Sequence, residues 1–244
     1  MPPTLTPTPS AITFDCWNTL LYEESWTIAH GLRVDALQRA ALAAGREVEG
    51  ETAGRAFDAA WQRHMEIWEA GAASGATEVA HWALAELELS PHGANLPALV
   101  HDFEEASHSG RVLALDGACE ALEALHGAGI LLGRVVRQFL DAHGLLELLA
   151  STIFSDEWSL PKPHPEVFQA ALSELDVDAS EAVHIGDLKR TDVAGARAVG
   201  MTTVRLRANN DDLSAHAEAD HVVDDYAGFL KLFGIDAKVG DVSS

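Results

Sequence analysis

Positive charge is what this chain has least of. Sixteen Lys and Arg, only four of them lysine, face 38 Asp and Glu, for a formal net charge of −22 over 244 residues. That balance argues against nucleic-acid backbones and anionic membrane surfaces as partners. It also repels phosphorylated molecules, so a phosphate site would need a local reversal of the field, for which a bound divalent cation is the usual device. Cysteine is nearly absent. Cys16 and Cys119 are too few for a disulfide framework, and the expected compartment is a reducing cytoplasm. No apolar run reaches the length of a membrane span. The opening MPPTLTPTPS has neither the basic nor the apolar segment of a signal peptide, and its Thr and Pro alternation reads as a disordered tail over residues 1–10. What is plentiful is apolar: 48% hydrophobic content describes an ordinary globular interior.

Short β-branched or apolar runs at 11–14, 130–136, 152–154, 182–185, 202–206 and 221–223 predict strands. From the second onward they alternate with helical stretches, the pattern of an α/β domain around a mostly parallel sheet. HPEVFQAALSEL at 164–175 places Val167, Phe168, Ala171, Leu172 and Leu175 on one helical stripe behind Pro165. TDVAGARAVG predicts a helix ending at Gly200. Between the first two strands the pattern changes to four amphipathic stretches at 25–43, 48–70, 76–89 and 94–107. The expected organisation is a core of residues 11–21 and 110–244 interrupted by an all-helical insert over 22–109. Four of the six tryptophans fall in that insert, and Phe57, Trp61, Met65 and Trp68 share one face, read as packing between its helices.

Parallel sheets bind ligands at the carboxyl ends of their strands, which directs attention to four polar residues. Asp15 follows the first strand. Asp187 follows AVHI, with Asp192 five residues on, near the start of the next helix. Lys162 sits in LPKPHP, its loop stiffened by prolines on either side. Each alone has an ordinary explanation as a cap or a solvated charge. Together, at the ends of three βα units, they point to a functional cluster.

These segments resemble the haloacid dehalogenase (HAD) superfamily. FDCWNTL, PKPHPEVF and HIGDLKRTDVAGARAVG are similar to its motifs one, three and four, and the helical insert lies where its C1 cap belongs. The resemblance implies a Rossmann-like core with an inserted all-α cap. It implies that Asp15 is a nucleophile forming an aspartyl intermediate and that Lys162 steadies Asp15 and the transferred group. Thr19 closes motif one. A Mg²⁺ ion would be held by Asp15, the backbone carbonyl of Trp17 and Asp187, with Asp192 behind them. Asn18 stands where Gly or Asp often occurs in this family, and Asn tolerates a left-handed backbone. Cys16 reads as core filling, and His184 as a packed or backbone-bonded residue rather than a base.

Two departures from the family pattern modify the expected activity. Phosphatases of the superfamily carry a second aspartate at the position of Trp17, serving as general acid and base. Tryptophan does neither, so the expectation is slow hydrolysis of a small phosphate ester, most impaired for poor leaving groups. Motif two should end a strand in Ser or Thr, yet no Ser, Thr or Asn occurs between Gly110 and Ala150. The chain reads as though about ten residues were missing between LLG and RVVRQFL, a length typical of a connecting loop. Arg134 and Arg137 read as the exposed start of the following helix. Two alternatives stand beside the phosphatase: a metal-free 2-haloacid dehalogenase, whose relatives carry an aromatic residue two places after the nucleophile, and a HAD-scaffold binding protein without turnover. Oligomeric state is left open.

Overall fold

The computed structural model describes residues 5, 8–24, 26–70, 72, 74–107, 109, 112–134, 148–152 and 161–236. Its Cα framework divides into two compact units, Met1–Tyr22 with Val112–Ser244 and Glu23–Arg111.

The first unit is built on a six-stranded sheet in the order β5-β4-β1-β6-β7-β8. The strands are β1 (Ala11–Phe14), β4 (Leu131–Arg134), β5 (Ser151–Thr152), β6 (Ala182–Gly186), β7 (Thr202–Leu206) and β8 (His221–Val223). Every neighbouring pair runs parallel. The expected mostly parallel α/β sheet is therefore present. β1 lies at the centre, where a strand buried on both faces should be continuously apolar, and AITF is buried throughout.

Side-chain alternation assigns the two faces. Ile12, Phe14, Val183 and Ile185 join a cluster with Leu122 and Leu125 of α5 (Ala118–Gly127) and Phe229 and Leu230 of α8 (Tyr226–Lys231). Ala11 and Ala182 point the other way, toward Phe168, Leu172 and Leu175 of α6 (Pro165–Leu175) and Ala196 of α7 (Ala194–Ala198). The predicted stripe on α6 is the buried one, behind Pro165 at the first turn. Gly195 makes this second face possible, because a Cβ there would lie 2.4 Å from the Phe168 ring and 3.1 Å from the Pro163 Cα. The loop bearing Lys162 is thereby seated against α7.

Two short strands, β2 (Leu21–Glu23) and β3 (Val112–Ala114), form a separate two-stranded sheet that the sequence pattern did not suggest. Part of the amino-terminal segment expected to be disordered is tied down. The Leu5 N–H donates to the Leu232 carbonyl at 2.7 Å, and Leu5 packs against the core, as an apolar side chain in a polar tail should when a greasy surface lies nearby.

The second unit holds α1 (Trp26–Ala43), α2 (Gly50–Glu69), α3 (Ala76–Glu86) and α4 (Leu96–Ser107) around one core. Phe57 is buried there and Trp61 packs against it, while Met65 and Trp68 are half-buried. The guanidinium of Arg33 lies over Trp26, Phe57 and Trp61 at 5.0, 5.6 and 5.7 Å and donates to Ser107 Oγ at 2.6 Å. Among the described residues, no helix is long and apolar enough to cross a membrane.

Candidate active site

The strand order places the ends of β1 and β6 side by side, with Phe14 opposite Ile185. Whatever follows these strands must share a small volume. Asp15 follows β1, its N–H donating to the Ile185 carbonyl at 2.8 Å, and Asp187 follows β6. A π-helical turn, Lys189–Val193, then folds Asp192 back over the strand end. Gly186 is required at that place: a Cβ would meet the Asp192 side chain at 2.3 to 2.6 Å. Lys162 reaches in from the loop before α6 and donates to Oδ1 of both Asp15 and Asp192.

One carboxylate oxygen from each of Asp15, Asp187 and Asp192 lies within 4.8 Å of the others. Three carboxylates against one ammonium leave the cluster two negative charges in excess, in a place where water is scarce. The electrostatic consequences differ by residue. Burial pushes the Asp15 carboxyl up, with Lys162 pulling it back and Asp192 adding to the rise. Asp187 is pushed up to about 7, first by burial and then by the charges of Asp15 and Asp192. Asp192 goes the other way: burial opposes its charge, but Lys162 and His184 outweigh it and hold the carboxyl well below the usual range. Lys162 is disfavoured by burial yet held well above the ordinary lysine range by Asp15 and Asp192.

The donor set is all oxygen, which suits a hard divalent ion such as Mg²⁺ rather than a thiophilic one. Thr19 is fully buried and its Oγ1 has no hydrogen-bond partner among the described residues. The Trp17 backbone makes a bridge with Leu21, and its indole is 41% exposed, so the bulky side chain stands outside the core. Asn18 adopts φ 60°, the left-handed conformation for which Asn is suited. Cys16 lies in the core cluster. Of the motif-two stretch, Arg134 ends strand β4 rather than starting a helix, and Arg137 lies outside the described residues.

Three further residues support the site, of which the sequence singled out only His184, as packed or backbone-bonded. His184 bonds side chains rather than backbone: its Nδ1 lies 2.8 Å from Thr13 Oγ1 and its Nε2 3.5 Å from Asp192 Oδ1. Tyr226 donates its buried hydroxyl to the Thr19 carbonyl at 2.8 Å, steadying the turn after β1. Asn210 donates its amide to Asp187 Oδ2 at 2.6 Å. The Thr13 and His184 pairing could have been found from strand register, as the two stand opposite each other on neighbouring parallel strands. Tyr226, at the start of α8, and Asn210, in coil, are far in sequence from the residues they hold and offered no local signal.

Residues 72–206 match the family model of haloacid dehalogenase-like hydrolases, more than half of the chain, and the protein belongs to that family. It is 28% identical over 204 residues to haloacid dehalogenase-like hydrolase domain-containing protein 3 of Bos taurus, covering 78% of each chain. A glyceraldehyde 3-phosphate phosphatase of Pyrococcus abyssi is 48% identical over a shorter segment of 52 residues, spanning 21% of this chain and 22% of that enzyme. Among solved structures, a HAD phosphatase from Thermococcus onnurineus superposes with a TM-score of 0.64 at 22% identity, over 94% of this chain and all of the other, a likeness of fold. The chain is thus a HAD-like hydrolase with the Rossmann-like core and helical insert expected of it.

Proposed function

We propose that the protein hydrolyses a small phosphate ester, dependent on Mg²⁺, through an aspartyl intermediate on Asp15. The observation that carries this reading is the juxtaposition of Asp15 with Asp187, Asp192 and Lys162 at adjacent strand ends. The phosphatase relative supports a phosphorylated substrate. We take residues 23–111 as the cap.

Asp15 supplies the attacking carboxylate oxygen. A bond forms from that oxygen to phosphorus as the bond to the leaving oxygen breaks, and water then hydrolyses the acyl phosphate to regenerate Asp15 and release inorganic phosphate. Lys162, held by Asp15 and Asp192, lies where negative charge gathers in flight. Asp15, Asp187 and the Trp17 carbonyl, with Asp192 behind, would hold Mg²⁺, which would supply neutralisation of the phosphoryl charge. Asp192, kept ionised, fixes Lys162 and, through it, the direction of Asp15. The indole of Trp17 has no proton to give, so the departing oxygen must collect its proton from solvent. General acid catalysis contributes on the order of 10²–10⁴ in rate, and that factor is forfeited for alkyl leaving groups. Aryl phosphates, whose leaving groups depart without help, are the better substrates.

The test is phosphate release from an aryl and an alkyl phosphate with and without Mg²⁺, beside Asp15→Asn. Hydrolysis of the aryl ester that needs both Mg²⁺ and Asp15 is expected. Equal rates on both esters would remove the role given to Trp17. Chloride release from 2-chloropropionate without Mg²⁺ would make the protein a dehalogenase. Complete absence of turnover would favour the binding protein that Trp17 and the altered motif two suggest.

A further inference from the structure

The Mg²⁺ reading draws its ligands from two turns, one after β1 and one after β6. A third segment touches both. Residues 207–220 join β7 to β8 without helix or strand, and loops of such length are most often functional when they are ordered. This one is fastened at several points. The Lys189 N–H donates to Asp212 Oδ2 at 2.7 Å. The buried Arg205 holds Glu218 through two bonds of 2.7 and 2.8 Å and Asp211 at 2.9 Å. Arg197 donates to the Glu218 carbonyl at 2.9 Å. Held this way, the loop presents two consecutive amides to the site: Asn209 Nδ2 donates to Asn18 Oδ1 at 2.7 Å, and Asn210 Nδ2 to Asp187 Oδ2 at 2.6 Å.

Resting on that Mg²⁺ reading, we infer that Asn210 is a positioning residue for the cation, fixing the Asp187 carboxylate through Oδ2 so that Oδ1 stays directed at the ion, while Asn209 secures the neighbouring turn at Asn18. Facing a carboxylate, only the amide nitrogen of Asn can donate. The residue type is also the one the charges require. An acid at 210 would add a fourth negative group, and a lysine would compete with the cation for Asp187. A neutral donor orients without doing either. Partners that orient ligating carboxylates are worth about 10- to 100-fold in metal affinity.

The measurement is calorimetric titration of the metal-free full chain with MgCl₂, together with its urea unfolding. Asn210→Leu keeps the volume and removes the donor, and its Kd for Mg²⁺ is expected to weaken by about 10- to 100-fold. Asn210→Gln, which retains an amide, should bind more tightly than the Leu variant. Asp212→Ala releases one fastening of the same loop but leaves the Asn210 amide in place, and should weaken binding less than Asn210→Leu does. The inference is overturned if Asn210→Leu binds Mg²⁺ as wild type does, if Gln is no better than Leu, or if Asp212→Ala weakens binding as much as Asn210→Leu. A wild type that takes up no Mg²⁺ removes the underlying reading as well, which separates the two failures.

Discussion

The two units of this molecule bury different things. Of nine polar or charged residues buried among the described ones, eight belong to the sheet unit and crowd toward the strand ends, while the helical unit buries only Arg33. The apolar cores differ as well. Alanine supplies nine of the seventeen buried residues in the helical core but two of twenty in the main sheet cluster. Small side chains let helices approach closely with little chemistry between them, whereas the sheet uses large residues to build a rigid floor under a costly polar assembly. Two cations, one from each unit, have opposite surroundings: Lys162 among carboxylates, Arg33 among aromatic rings. The lesson is that a buried charge is a liability or a support according to what faces it.

Removing the cations is the strongest way to break this contrast. Lys162→Met leaves Asp15 and Asp192 without the ammonium they share, and is expected to destabilise the metal-free protein by about 3–5 kcal/mol in urea unfolding. A loss below 1 kcal/mol would show that the carboxylates do not depend on it. A middle effect concerns pH. Asp187 has its folded-state value raised from 3.8 to about 7, so the folded chain holds that proton more tightly than the unfolded one. Its contribution to stability is fully present below about pH 4 and lost as pH rises through about 7. Between pH 5 and 8, metal-free wild type should therefore lose stability relative to Asp187→Asn, and a pH-independent difference would contradict this. The smallest effect is expected in the helical unit. Burial lowers the Arg33 guanidinium pKa, with Glu23 opposing, so Arg33→Met gives up ring contacts and one hydrogen bond but also releases a desolvated charge. The change in unfolding free energy should stay within about 1 kcal/mol, and a loss of several would erase the distinction between the two cations.

Much of the fold was legible because it is carried by local pattern. The short β-branched or apolar runs of β1, β6 and β7 and the stripe on α6 need no knowledge of partners. The convergence of Asp15, Asp187 and Asp192 could be anticipated because each follows or closely trails a strand, and parallel strands present their ends together. What stayed hidden is whatever depends on chain returning from afar. β2 and β3 are three residues each, too short for any period, and find each other across the whole helical insert. Asn210 meets Asp187 only because the coil after β7 returns to the end of β6, 23 positions back along the chain. His184 was legible as buried but not as a hydrogen-bonding link, since its partner Thr13 is 171 residues away and set by register alone.

Gly186 has a hydrogen where any other residue would thrust a carbon into Asp192. The gap between the acidic groups is therefore set from beneath, by the smallest substituent available, and not by the acids themselves. Oxygen cages for Mg²⁺ close at about 2.0–2.1 Å and those for Ca²⁺ at about 2.3–2.6 Å. On the proposed Mg²⁺ reading, re-dimensioning the site for a broader ion would have to begin with its glycine floor.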